Sequence, residues 1–305
     1  MARKILAVVL LLSSIHLEIL AQDVCAGPDS LVSLTTSTNF SLQRDTVGLI
    51  QQKEISGISP SIKYPGHFWA VNDSGNGAVL YLYALEDASL KALFILKGIP
   101  NTDWEDLSML KNDQGEGILH IADFGDNKAK RKVYTIYQIP EPDIQQDNEK
   151  IQKLFVDPER VRFTYSNGAR DAEAFAIDPI DGTSYVFTKR EEEIFYYSIS
   201  ITSSDSVLSI SPIGNLPLSL VVAADFSADG HKFLLKTYTH IYLWTRDSPS
   251  EPFCEMISRQ PELVPYQAEP QGESVCFMGS DFITVSEERF EIQPKLFRYR
   301  NIASD

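Results

Sequence analysis

The sequence is poor in cysteine and histidine, has no long apolar run beyond its first residues, and carries none of the short motifs that mark common chemistries. Three cysteines, Cys25, Cys254 and Cys276, in 305 residues are too few for a disulfide scaffold. After the leader no run of roughly 18 apolar residues occurs, so no later segment reads as a membrane-spanning helix. His67, His120, His231 and His240 lack the close pairing that zinc sites use. G-x-S-x-G, H-E-x-x-H, P-loop and C-x-x-C patterns are missing, which removes serine-hydrolase, zincin, nucleotide-loop and thioredoxin-type readings. Positive charge is scarce as well. Lys plus Arg number 27 against 42 Asp plus Glu, for a net charge of -15, and the basic residues do not gather into a patch that would hold a phosphate backbone. Nucleic acid is therefore not an expected partner.

What is present begins with a leader. In MARKILAVVLLLSSIHLEILAQ, Arg3 and Lys4 precede an apolar run from Ile5 to Leu12 that is too short to span a bilayer, which is the pattern of a signal peptide. Cleavage is expected after Ala21, with Ala26 as the alternative, leaving residues 22–305 as a single soluble, secreted domain. The mature chain then holds 25 basic and 41 acidic residues, a charge of -16. An oxidising compartment favours one disulfide and one spare thiol. Cys276, within ESVCFMG, reads as a buried hydrophobe, so Cys25 and Cys254 are expected to pair, across the seam where the fold closes. Asn39 (NFS) and Asn72 (NDS) match the glycosylation acceptor pattern.

Past residue 30 the apolar residues come in short runs of period-two alternation, rich in Val, Ile, Tyr, Phe and Thr and bounded by Gly, Asp, Asn and Pro, so the chain is all-β. One module recurs five times, opening with EISGIS at Glu54, EDLSML at Glu105, EAFAID at Glu173, DFSADG at Asp225 and ESVCFM at Glu273. Separations of 51, 68, 52 and 48 residues suit a four-stranded propeller blade per module, with an insertion around EPDIQQDNEK. YPG, NDQGEG, DPIDG, SADG and MGSD follow the first strands and supply hairpin turns; Asp178, Asp181 and Asp229 belong to that turn chemistry. The last module has room for three strands only, and the strand-like stretch from Leu42 to Gln52 is expected to complete it. The fold read here is a five-bladed β-propeller, with a six-bladed ring as the alternative if the insertion between Pro140 and Tyr165 forms a blade.

In a propeller the innermost strands line the channel and start from one face of the disc. The five acidic openings, Glu54, Glu105, Glu173, Asp225 and Glu273, are therefore expected on one rim. The second strands end on the same face, at Asn72 and Asp73, Asp123 and Asp126, Lys189 and Arg190, Thr237, and Glu287 and Glu288. Two like charges 4 Å apart cost about 4 kcal/mol at an effective dielectric of 20, so a carboxylate ring calls for a cation. Hard oxygen ligands at irregular geometry suit Ca²⁺. A hydrolase would use the ion to polarise a phosphoryl or carbonyl oxygen, Asp73 or Asp123 to activate water, and Lys189 or Arg190 to stabilise developing negative charge. The basic run KAKRK, Lys128 to Lys132, is then the place for an anionic partner. The competing expectation is a non-catalytic extracellular protein whose acidic surface binds cations, mineral or a matrix protein.

The succession of EISGIS with FWAVNDSG, DWEDLS with ILHIADFGDN, DAEAFAIDPIDG with SYVFTKRE, AADFSADG with FLLKTYT, and GESVCF resembles the calcium-activated nucleotidases, or soluble apyrases, and also uncharacterised secreted bacterial propeller proteins that carry the WED, GDN and DAEA elements. The resemblance implies a secreted five-bladed propeller with calcium at its centre. It further implies that Glu105, Glu173 and Glu273 serve as ligands directly or through water, that Asp73 lies beside the substrate, and that Lys189 and Arg190 match the family's basic pair. The chain departs from the apyrase pattern in following that pair with Glu191, Glu192 and Glu193.

Overall fold

The computed structural model describes residues 25–144, 151–202 and 206–303; the leader expected at residues 1–21 lies outside them. Twenty-two described strands and one short helix follow in chain order. β1 (Asp45–Leu49) precedes β2 (Ile55–Pro60), β3 (His67–Asn72), β4 (Val79–Ala84) and β5 (Leu90–Lys97), which form the first blade. β6 (Trp104–Lys111), β7 (Gly117–Asp123) and β8 (Tyr134–Pro140) begin the second. After them come β9 (Ile151–Phe155), β10 (Glu159–Tyr165), β11 (Ala172–Ile177), β12 (Ser184–Thr188), β13 (Ile194–Ile199), β14 (Val207–Ile210) and β15 (Pro212–Leu216). Strands β11, β12, β13 and β15 are the third blade. β16 (Val221–Phe226), β17 (Lys232–Thr237), β18 (Ile241–Thr245), α1 (Phe253–Ser258) and β19 (Glu262–Leu263) supply the fourth, and β20 (Gly272–Met278), β21 (Asp281–Ser286) and β22 (Lys295–Tyr299) the fifth.

Closure follows the expected route. β1 pairs antiparallel with β22, Thr46 facing Phe297 and Leu49 facing Lys295, so the N-terminal strand becomes the outer strand of the last blade. The inner strands β2, β6, β11, β16 and β20 pack side by side in a closed ring. They are buried on both faces, and small residues recur in them, as in AEAFAI and VVAADF. Proximity to the axis explains this. A Cβ on Gly57 would lie 2.6 Å from the Asp106 Cα and 2.7 Å from the Leu107 amide nitrogen, so only glycine lets β2 approach β6 so closely.

The core is correspondingly layered. Five hydrophobic clusters are present among the described residues, and each lies between two neighbouring blades. Between blades three and four, Phe233 meets the rings of Phe187, Phe226, Trp244 and Phe253 at centroid distances of 5.6, 4.7, 5.9 and 5.1 Å. Burying each such ring contributes about 1.5–3 kcal/mol. The hairpin turns are as read: Gly66, Gly115, Gly182, Gly230 and Gly279 all have positive φ, and the carboxylates of Asp178, Asp181 and Asp229 accept amides two residues on.

Two expectations are corrected. The insertion makes no sixth blade among the described residues. β9 instead joins the outer edge of the first blade, parallel to β5, while β10 and β14 extend the second. The insertion thus stitches two neighbours together. Cys25 and Cys254 do form the disulfide and Cys276 stays free and buried, but the bridge is not at the seam. The Cys25 amide donates to the Ile213 carbonyl at 2.6 Å and Cys254 lies on α1, so the bond fastens the N-terminal segment over blades three and four. That segment then passes along β19, where Thr36 bridges Leu263, before reaching the seam.

Because the bridge closes a loop of 229 residues, Cys254→Ser is expected to lower the unfolding free energy by about 2–4 kcal/mol. Urea denaturation of the variant measures this, and an unchanged midpoint would show the bridge to be dispensable.

Candidate metal centre

Every inner strand carries a β-bulge one residue after its start. The register breaks around Ser56, Glu105, Glu173, Val222 and Glu273. A bulged residue leaves the ladder and its side chain is re-aimed, here towards the rim of the channel. The equivalent positions thus hold three glutamates, a serine and a valine. Ser56 uses its hydroxyl locally, donating to the Trp104 carbonyl at 2.8 Å. The same rim turn recurs two residues ahead of the bulge, where the amides of Asp73, Lys189 and Glu287 donate to the carbonyls of Glu54, Asp171 and Gln271.

This register changes the expected ring. Asp225 is the fifth residue of β16, three beyond the bulge, so it lies further down the channel and its place on the rim is taken by Val222. Glu54 stands on the rim but two residues before the bulge, where it is exposed and accepts a hydrogen bond from Asn76 at 2.8 Å. Neither residue joins the carboxylates that converge. Those are Asp73, Asp103 and Glu105 in one triad and Glu105, Asp171 and Glu173 in another, each with one oxygen per residue inside 4.8 Å of the others. Glu273 lies beside them, reached by Lys189 Nζ at 3.9 Å and by the Tyr238 hydroxyl.

Asp103 and Asp171 escaped the sequence reading. Both stand two residues before a bulged glutamate, so the signal was the repeated acid-x-Glu spacing in DWED and DAEA. Gly125, from GDN, completes the cradle: a Cβ there would lie 2.0 Å from Glu105 Oε1 and 2.6 Å from the Asp103 Cγ. Glycine at 125 therefore leaves the carboxylates room to face one another.

The residues expected to do chemistry are all on this rim. Asp73 belongs to the first triad. Asp123 is buried and held by Arg131 at 3.0 Å and by the Asp103 amide at 3.2 Å. Lys189 is ion-paired to Glu173 and donates to the Tyr238 hydroxyl at 2.9 Å. Arg190 pairs with Asp171 and Asn127, with 47% of its side chain exposed. Lys128, Lys130 and Lys132 are exposed in the loop after GDN, while Arg131 folds back onto Asp123 and the Gly125 carbonyl. Asn72 is 5% exposed at the end of β3, so a glycan could not be attached to it in the folded chain.

Electrostatically the centre is unbalanced. Burial, reinforced by Glu173, Asp73 and Asp103, pushes the Glu105 carboxyl well above the usual range. Burial and the Asp73 charge take Asp103 up to about 6. Burial and Glu273 take Glu287 up to about 10. Burial disfavours the Lys189 ammonium, yet the Glu173 and Glu273 carboxylates outweigh it and keep the lysine protonated. Lys189 on Glu173 and the Arg190 guanidinium on Asp171 do not neutralise this many acids. Asn72 Oδ1, Asp103 Oδ1 and Glu287 Oε1 are buried around the cluster without a hydrogen-bond donor. Carboxylates that crowd together, oxygens without donors and a glycine-cut cradle fit a hard cation, and no histidine or thiolate is among them.

No protein-family model and no curated protein matches the chain. Among solved structures, one from a crystal structure of a nidogen/laminin complex aligns with 77% of this chain and 72% of its own, at 11% identity and a TM-score of 0.42. No helix among the described residues is long and apolar enough to cross a membrane.

A pH dependence follows from the raised acids. The folded, metal-free chain keeps protons on Asp103 and Glu287 that the unfolded chain releases near 3.8 and 4.5, so its stability falls as pH rises from about 4 towards about 10. Denaturation in chelator is expected to give a lower midpoint at pH 8 than at pH 5, with added cation closing the gap; a midpoint that rises with pH would contradict the crowding.

Proposed function

We propose that the chain is a secreted, extracellular propeller that holds Ca²⁺ at the channel rim, between Asp73, Asp103, Glu105, Asp171 and Glu173, with Glu273 close by. The observation that carries this is Glu105, whose carboxylate belongs to both triads. An all-oxygen, irregular donor set matches Ca²⁺ rather than zinc. The leader pattern, the Cys25 to Cys254 bond and the resemblance to soluble apyrases support an extracellular setting.

Calorimetry with Ca²⁺ on chelator-stripped protein tests the reading. Calcium should raise the melting temperature, by an amount equivalent to roughly 2.7 kcal/mol at a hundredfold excess over Kd. Glu105→Gln should weaken binding about tenfold or more, while Glu54→Gln and Asp225→Asn leave it unchanged. Equal loss in all three variants, or no binding at all, removes the centre.

A second reading, a calcium-dependent hydrolase of phosphoesters or phosphoanhydrides, is favoured by the exposed Lys128, Lys130 and Lys132 and the half-exposed Arg190 beside the carboxylates. Asp73 and Asp103 flank the more exposed side of the cluster, where water or a phosphoryl oxygen would complete the ion's shell. Replacing the three lysines with alanine should raise KM for a nucleotide without altering calcium affinity. Nucleotides and phosphate esters that all stay intact with calcium present would leave the alternative, an extracellular protein binding cations, mineral or a matrix component through a surface of charge -16.

A further inference from the structure

The channel has a second mouth, and its chemistry differs from the first. The far ends of all five inner strands enclose a cavity of about 420 Å³, lined by Ser59 of β2, Met109 of β6, Ile177 of β11, Asp225 of β16 and Phe277 of β20 among others. Its size is that of a small-molecule site. Leu110, Phe226 and Phe277 make the walls largely apolar. Asp225 is the one carboxylate in the lining, and Lys111, the one ammonium, is exposed at the outer end.

Asp225 is fixed in place. Its Oδ2 accepts the Phe277 amide at 2.7 Å, which ties β16 to β20 and leaves the residue partly open to the cavity. No ion pair to it forms among the described residues, and burial pushes its carboxyl up to about 8. Asp106 lies deeper in the channel and adds a second acid; its carboxyl is occupied by the amides of Leu107, Phe175 and Ala224 at 2.8, 2.9 and 3.4 Å. Asp225 has no counter-ion among the described residues, and an ammonium brought to it favours its ionised form, whereas an anion does not.

We propose that this mouth binds a small organic cation, an amine on an apolar body, with its ammonium on Asp225 and its body against Met109, Phe226 and Phe277. The site is separate from the metal centre. Asp225 is three residues past the rim position of its strand, roughly 10 Å along the channel, and belongs to neither carboxylate triad.

Benzylamine and its uncharged isostere benzyl alcohol are suitable probes, titrated calorimetrically into the full secreted chain in calcium buffer. The amine is expected to bind about tenfold or more tighter than the alcohol, as a charge-assisted hydrogen bond allows. Asp225→Asn should erase that preference. Ala228→Trp, at an exposed position on the lip of the cavity, should weaken both probes, and it decides the matter alone if Asp225→Asn does not fold. Equal affinity for the two probes, no binding of benzylamine at millimolar concentration, an amine preference that survives Asp225→Asn, or unchanged affinity for both probes in Ala228→Trp overturns the proposal.

Discussion

The bulge near the start of each inner strand is the constraint on which the rest of the molecule depends. It falls at the same place five times, although the residues it carries differ. By taking one residue out of the ladder it directs that side chain to the rim while the next residue resumes the tight packing of the ring. What each blade contributes to the centre is then decided by a single side chain. Blades two, three and five give glutamate; blades one and four give Ser56 and Val222. The asymmetry of the site comes from that difference, and it shifts the carboxylates towards blades one to three, where Asp73, Asp103 and Asp171 add to them.

Such crowding needs an answer, since each pair of like charges at about 4 Å costs about 4 kcal/mol at an effective dielectric of 20. A chain has three ways to meet the cost: retain protons, supply ammonium groups, or bind a cation. The raised acids show the first at work. Lys189 is the second, and Glu173, Glu273 and the Tyr238 hydroxyl already share it. The third route satisfies the oxygens that the other two leave without partners, and it is the one on which the proposed function rests.

Much of this was legible in the sequence. Alternation gave the strands, turn glycines marked the hairpins, and the three-strand last module required β1 to complete it. Those signals are local, or follow from counting. Register is not local. Aligning modules on the first acid before an apolar run selected Glu54 and Asp225, yet a strand of period two gives no sign of where a bulge will fall, and a shift of two or three residues carried both away from the cluster. Glu105, Glu173 and Glu273 aligned correctly because acid and bulge coincide there. The position of β9 was equally hidden, since parallel pairing with β5 joins residues more than fifty apart and depends on how two blades pack.

Asp106 shows why a carboxylate on an inner strand is not by itself a ligand. It directly follows Glu105, is at least as deeply buried, and carries the same functional group, but the strand turns it to the opposite side. There three backbone amides from β6, β11 and β16 meet it. Burial raises its pKa and those amides oppose the rise, so the group is satisfied as a clamp between three blades. Its neighbour across the bulge has no such donors and faces other acids instead. One backbone irregularity thus separates a carboxylate that holds the ring together from one that, through its crowding, makes room for an ion.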